Sequence, residues 1–213
     1  MMILSSGLLK WKNESVMNLD RLEQQIAFVR EVDKLKTINR QTLLTDASRR
    51  ENDAEHSWHL ALMALVLGEY ADGGTIDLLH VIRMVLVHDL VEIDAGDTYC
   101  YDEAGYADKA QRETSAAERI FNLLPPDQAL EIRALWDEFE ASDTPEARFA
   151  NALDRLQPLM HNVFTDGQMW KKHGIVKSQV VGRNRKIADG APDLWAFARN
   201  LIQRAVDDGH LAS

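Results

Sequence analysis

VLVHDLVEIDAGD, residues 85–97, is the stretch from which the rest of the chain is read. An apolar run of helical character presents His88 and Asp89 side by side. Glu92 follows one turn after Asp89, and Gly96-Asp97 lies just beyond the expected helix end. Burying ionisable side chains costs several kcal/mol each unless something compensates them. A single metal ion would compensate all of them, so the stretch reads as a site rather than as a charged core helix.

Working outward, the 213 residues suit one domain with its own core. Helical periodicity dominates, and alternating β-branched runs are scarce. Residues 1–17 read as an N-terminal lead-in without the basic start and apolar core of a signal peptide. Residues 18–213 read as the domain proper. Its first helix runs from 18 or 20 to about 36, capped by Asp20, with Leu22, Ile26, Val29 and Val32 as the apolar stripe. Residues 37–50 read as a long polar connection.

The second helix is expected to start at Asn52-Asp53 and to turn Trp58, Ala61, Leu62, Leu65 and Val66 toward the core. The third is expected from the cap Thr75 through Glu92. Residues 93–106 read as a loop over the site. Helices follow at about 107–123, 126–141 and 145–166, the last with Pro158 inside it. Two shorter ones, about 175–188 and 192–208, pack on at the C-terminus. The predicted fold is all-α, a single bundle of seven or eight helices with a buried metal site and no sheet.

Composition narrows the function. A formal net charge of −10 argues against a nucleic-acid binder, which needs a basic face. No run of roughly 18 uncharged apolar residues exists to span a membrane. The single cysteine, Cys100, rules out an internal disulfide framework and fits a reducing cytoplasm. Neither a Gly-x-Gly-x-x-Gly nor a P-loop pattern is present, so a nucleotide would be held by other means.

His56, His88, Asp89 and Asp154 form the strongest constellation, each within or at the start of an otherwise apolar helical segment. Adjacent helical residues point about 100° apart. A cation against the seam between His88 and Asp89 still reaches both, and His56 and Asp154 would close it from other helices. Two imidazoles and two carboxylates suit Mn, Fe, Co, Ni or Zn better than Ca, with Mg possible. Taken singly, each residue has an ordinary alternative: a hydrogen-bonded core histidine for His56, an ion pair with Arg155 for Asp154.

Four stretches then carry a family resemblance: LKTINR (35–40), ENDAEHS (51–57), VHDLVE (87–92) with Gly96-Asp97, and ALDRLQ (152–157). Together they resemble the HD-domain metal-dependent phosphohydrolases, and within them the 5′-deoxynucleotidases. The resemblance implies that His56, His88, Asp89 and Asp154 bind one divalent metal. It implies that Glu92 deprotonates the attacking water and that Arg40 positions the substrate phosphate. Asp97 would contact the sugar and favour substrates lacking a 2′-hydroxyl, with Thr98, Tyr99 and Cys100 lining the sugar side. It also implies a homodimer.

Chemistry is compatible with these roles. Glu92 lies at i+4 from His88 and i+3 from Asp89, on their face. A carboxylate beside a cation makes a sensible general base, or else a support for a ligating histidine. Arg40 offers a planar fork of donors matched to phosphate, or else a solvated surface charge. Asp97 after Gly96 contacts the sugar, or else caps a turn.

The chain departs from the branch at two places. Gln41 stands where the branch usually has Trp, so an aromatic wall is expected from elsewhere, such as Trp58 or Tyr99. Residues 98–101 lack the usual proline. His59 is expected to pack beside His56, while His80, His161, His173 and His210 lie away from the motif. Lys171-Lys172 and residues 183–186 read as solvated faces. The expected activity is hydrolysis of deoxyribonucleoside 5′-monophosphates. The alternatives are another nucleotide, such as guanosine tetraphosphate or a cyclic nucleotide, and a non-catalytic metal- and nucleotide-binding module.

Overall fold

The computed structural model describes residues 5–102, 105 and 107–213, with side chains from residue 19 onward. Among these, eight helices have eight residues or more: α1 (Ser5–Val32), α2 (Asp53–Leu67), α3 (Leu78–Val87), α5 (Lys109–Phe121), α6 (Pro126–Ala141), α7 (Pro145–Phe164), α9 (Lys177–Asn184) and α10 (Pro192–Asp207). The short helices α4 (Glu92–Ala95) and α8 (Gln168–His173) complete the set. The fold is all-α apart from one small hairpin.

Most helix starts follow from local chemistry. Asn52 caps α2 by accepting from the Glu55 backbone N–H, and the Glu55 side chain accepts in return from the Asn52 N–H. Proline occupies the first turn of α6, α7 and α10, where its missing N–H costs no helical bond. Thr144 caps α7 through the Ala147 N–H, and the helix continues through Pro158. The cap of α3 is Asp77, which accepts from the His80 N–H, rather than the expected Thr75.

Helices α2, α3 and α7 pack on one another at the centre, with α10 and the 3₁₀ turn Arg185–Asp189 against α7. Leu60, Met84, Val85, Phe149, Leu153, Leu156, Ile187 and Ile202 are fully buried there. Gly190 permits the close approach of the last turn to α7. A Cβ at that position would lie 2.3 Å from the Arg148 carbonyl.

Several expectations are corrected. Helix α1 begins at Ser5 and absorbs most of the expected lead-in, whose residues 1–4 lie outside the described residues; Asp20 is therefore inside the helix rather than its cap. The expected connection at 37–50 contains an antiparallel hairpin, β1 (Asn39–Leu43) with β2 (Arg50–Asn52), paired Asn39 with Asn52 and Leu43 with Arg50 around an irregularity. Its strands are short and polar, so neither shows the alternation that marks a half-buried strand.

The apolar stripe of α2 is reversed. Trp58, Leu62, Leu65 and Val66 are 63%, 44%, 60% and 64% exposed, while His56, Ser57, Leu60, Met63 and Ala64 face inward. The helix is apolar on both faces, and burying His56 fixes which one turns in. On α1, Leu22, Ile26 and Val29 are likewise exposed.

The organising stretch is not one helix. Helix α3 stops at Val87, His88–Val91 winds as a 3₁₀ turn, and α4 resumes at Glu92. At three residues per turn, positions i and i+3 fall in line. That places Glu92 above Asp89. Gly96, at φ 74°, then ends α4 and turns the chain back so that Asp97 reaches the cavity. The expected loop over the site at 93–106 falls partly outside the described residues.

Candidate metal centre

His56 comes from α2, His88 and Asp89 from the 3₁₀ turn, and Asp154 from α7. His56 Nε2 lies 3.1 Å from Asp154 Oδ1 and 3.9 Å from Asp89 Oδ2. His88 Nε2 lies 3.1 Å from Asp89 Oδ1 and 3.8 Å from Asp154 Oδ1. Ligand-capable atoms of His56, His88 and Asp154 all fall within 4.8 Å of one another.

Proton counting tests whether a cation fits. His88 Nδ1 is 2.9 Å from the Val85 carbonyl, which only accepts, so Nδ1 carries the hydrogen. A neutral ring then leaves Nε2 bare before two carboxylates, and this buried atom has no hydrogen-bond partner. His56 has one proton to share between two acceptors, Gln157 Oε1 at 3.2 Å and Asp154 Oδ1 at 3.1 Å. A cation in place of the missing protons satisfies every one of these groups, so the donor set fits a divalent metal.

The charges point the same way. Burial opposes a charge on His88, yet Asp89 and Asp154 prevail and raise its pKa well above the ordinary value. Burial opposes the charge on Asp154 too, but the imidazoles of His56 and His88 beside it hold it well below the carboxylate range. His56 is lowered to about 4 by burial and by the Arg40 charge. The centre therefore sets two carboxylates against one imidazole that favours a positive charge, His88, and one that stays neutral, His56.

Around it lies a cavity lined by Arg40, Asp89, Glu92, Asp97, Thr98, Tyr99, Cys100 and Asp154, among others. Arg40, Glu92, Asp97 and residues 98–100 thus meet the cluster residues Asp89 and Asp154 in one cavity. Burial, reinforced by Asp89, Asp97 and Asp53, pushes the Glu92 carboxyl up to about 10. Arg40 is no solvated surface charge: Nη1 donates to Asp89 Oδ2 at 2.7 Å and to Asp53 Oδ1 at 3.0 Å. Burial raises the Asp97 carboxyl as well, with Arg40 opposing.

Of the two aromatic walls anticipated, Tyr99 lines the cavity. Trp58 does not, because it lies on the outward face of α2. Arg183, expected on a solvated face, lines the cavity together with the buried Asn184.

Sequence reasoning missed Asp53, Glu51, Gln157 and His161, all buried. Asp53 holds Arg40. The other three form a network behind His56, in which Glu51 and His161 make a second metal-capable group with His59. Glu51 and Asp53 lie in the quoted ENDAEHS stretch, whose residues around Asn52-Asp53 were read as the start of the second helix. His161 is one turn beyond Gln157 on α7, a spacing that was available.

The HD domain family matches residues 32–195, more than half of the chain. The chain belongs to the HD domain family. This HD protein is 30% identical over 136 residues to human 5′-deoxynucleotidase HDDC2, a match covering 63% of the chain and 65% of that relative. The match to the Dictyostelium discoideum 5′-deoxynucleotidase HDDC2 is also 30%, over 65% of the chain and 76% of the relative. The alignment thus spans just under two thirds of the human protein. Among solved structures, it is similar to a "predicted metal-dependent phosphohydrolase" from Magnetospirillum magnetotacticum, at 58% identity and TM-score 0.87, over 91% of this chain and 96% of that one. A conserved hypothetical protein from Pyrococcus furiosus, 19% identical with TM-score 0.59, shares the fold over 85% and 99% of the two chains. No helix among the described residues is long and apolar enough to cross a membrane.

Proposed function

We propose that this HD protein is a metal-dependent phosphomonoesterase that hydrolyses deoxyribonucleoside 5′-monophosphates to deoxynucleoside and phosphate. One observation carries the reading: a buried acid, Glu92, sits beside Asp89 in the cavity that also holds Arg40 and Asp97. The similarity to proteins named 5′-deoxynucleotidase supports the substrate class.

His56, His88, Asp89 and Asp154 would hold the divalent transition metal (Mn, Co, Zn, Fe or Ni, with Mg possible), which would supply Lewis acidity to the reaction. Glu92, kept protonated by burial and acidic neighbours, acts as a base once positive charge sits beside Asp89. It then accepts the proton of the water that attacks phosphorus. The P–O5′ bond breaks as the new P–O bond forms, and the proton taken up by Glu92 passes to the leaving O5′ to give the nucleoside hydroxyl. Arg40, fixed by Asp53 and Asp89, keeps a positive charge beside the phosphoryl group as charge spreads over its oxygens. Asp97 accepts from the sugar, and Thr98, Tyr99 and Cys100 close that side.

A reducing cytoplasm suits the free Cys100 at the cavity. Self-association into a homodimer belongs to the same reading, supported by the exposed apolar faces of α1 and α2. The test is phosphate release by metal-stripped protein with Mn, Co, Zn or Mg added singly. Substrates are deoxy- and ribonucleoside monophosphates, guanosine tetraphosphate and a cyclic nucleotide. Release confined to the deoxynucleoside monophosphates is expected. No turnover with any substrate, despite bound metal, would replace this reading with that of a binding module.

A further inference from the structure

Gln157 is fully buried on α7, and its amide touches both the metal cluster and the network behind it. Oε1 lies 3.2 Å from His56 Nδ1. Nε2 lies 2.6 Å from Glu51 Oε1 and 3.3 Å from both His59 Nδ1 and His161 Nε2. The amide nitrogen thus fills the centre of the second metal-capable group, which is a hydrogen-bond hub.

The direction of the hub follows from its outer end. His161 Nδ1 is 2.9 Å from the Leu43 carbonyl of β1. A carbonyl only accepts, so Nδ1 carries the His161 proton and Nε2 is a bare acceptor. The Gln157 end that faces this nitrogen must be the NH₂; the reversed amide would set its carbonyl oxygen 3.3 Å from a second acceptor. Oε1 is therefore directed at His56 and forces the hydrogen onto Nδ1. A neutral ring is then left with a bare Nε2, the atom that faces Asp154.

We propose that Gln157 is a positioning residue that selects the Nδ1–H form of His56 and so presents Nε2 to the metal, with Glu51 and the Leu43–His161 contact holding the amide in that sense. The proposal rests on the metal site described above. Removing the partner of a ligating imidazole typically weakens metal binding by about 10- to 100-fold.

The test is a Co(II) titration of the metal-stripped full chain, followed by visible absorption. Gln157→Leu is expected to weaken Co(II) binding by about 10- to 100-fold. A folded Gln157→Leu protein with wild-type affinity overturns the proposal.

Nitrogen-15 spectra of the Zn(II)-loaded wild-type protein give a readout that needs no variant. Nδ1–H is expected for His56, and Nε2–H overturns the proposal even if the variants do not fold. His56→Ala separates the two layers. If it leaves Co(II) affinity and spectrum unchanged, the metal site itself is wrong. If it abolishes binding while Gln157→Leu does not weaken it, only the role of Gln157 falls.

Discussion

His56 Nε2 and Asp154 Oδ1 stand 3.1 Å apart although 98 residues separate them in the chain. Neither residue has a local reason to be where it is. The pair exists because α2 and α7 pack side by side, and its value lies in what two such groups hold between them.

Chelation should therefore reach beyond activity. Removing the metal leaves Asp89 and Asp154 facing His56 and His88 without a shared cation, so the thermal midpoint is expected to fall on treatment with a chelator. It should return on adding back a single divalent metal. An unchanged midpoint, with metal loss verified by elemental analysis, would contradict a metal at these ligands.

Glu92→Gln keeps the volume of the side chain and removes the base. The expected result is a fall in kcat of about 10²- to 10⁴-fold with the metal content unchanged. Wild-type turnover in this variant would take Glu92 out of the chemistry.

Arg40→Met strips the positive charge from Asp53 and Asp89, both of which it contacts. Leaving buried carboxylates unpaired costs about 3–5 kcal/mol, so urea unfolding should move to lower concentration. Arg40→Lys should recover part of that stability but less of the turnover, since a point charge does not reproduce the fork.

Asp97→Ala is expected to narrow the preference for deoxynucleotides, with kcat/KM for ribonucleoside monophosphates approaching that for their deoxy counterparts. Parallel loss on both sugars would assign Asp97 to the turn after Gly96 instead of to the sugar.

His161 supplies a pH test. Burial, aided by His59, lowers its pKa to about 4, below the ordinary value of 6.5. The unfolded chain takes up the proton first as pH falls, so the contribution of His161 is intact above about 6.5 and is lost as pH drops toward about 4. The thermal midpoint of His161→Gln should consequently decline less over that window than that of wild type. Equal declines would mean that His161 does not enter the linkage.

What could be read from the chain divides by range. The starts of α2, α6, α7 and α10 were legible because a cap or a proline announces each one locally. The four cluster residues were legible because charges interrupting apolar helices demand an explanation. The hairpin was not, since its polar strands are held by partners elsewhere, such as His161 on α7.

The inward face of α2 was misjudged because both faces are apolar. Periodicity reports that a stripe exists but not which side the rest of the protein covers. Gln157 escaped notice for another reason. A neutral amide two residues after Arg155 looks like surface until its neighbours are known, and those neighbours are Glu51, His56, His59 and His161.

Asp154, Gln157 and His161 occupy consecutive turns of α7, three and four residues apart, with a cluster residue at one end and an anchor to the hairpin at the other. Inserting or deleting one residue between 154 and 161 would swing the downstream groups about 100° around the helix and disconnect the chain of contacts in one event. The segment from Thr98 onward has no such phase to keep. A one-residue change of length inside this part of α7 is thus expected to undo the cluster and the hairpin contact together, whereas one just after Thr98 leaves both in place.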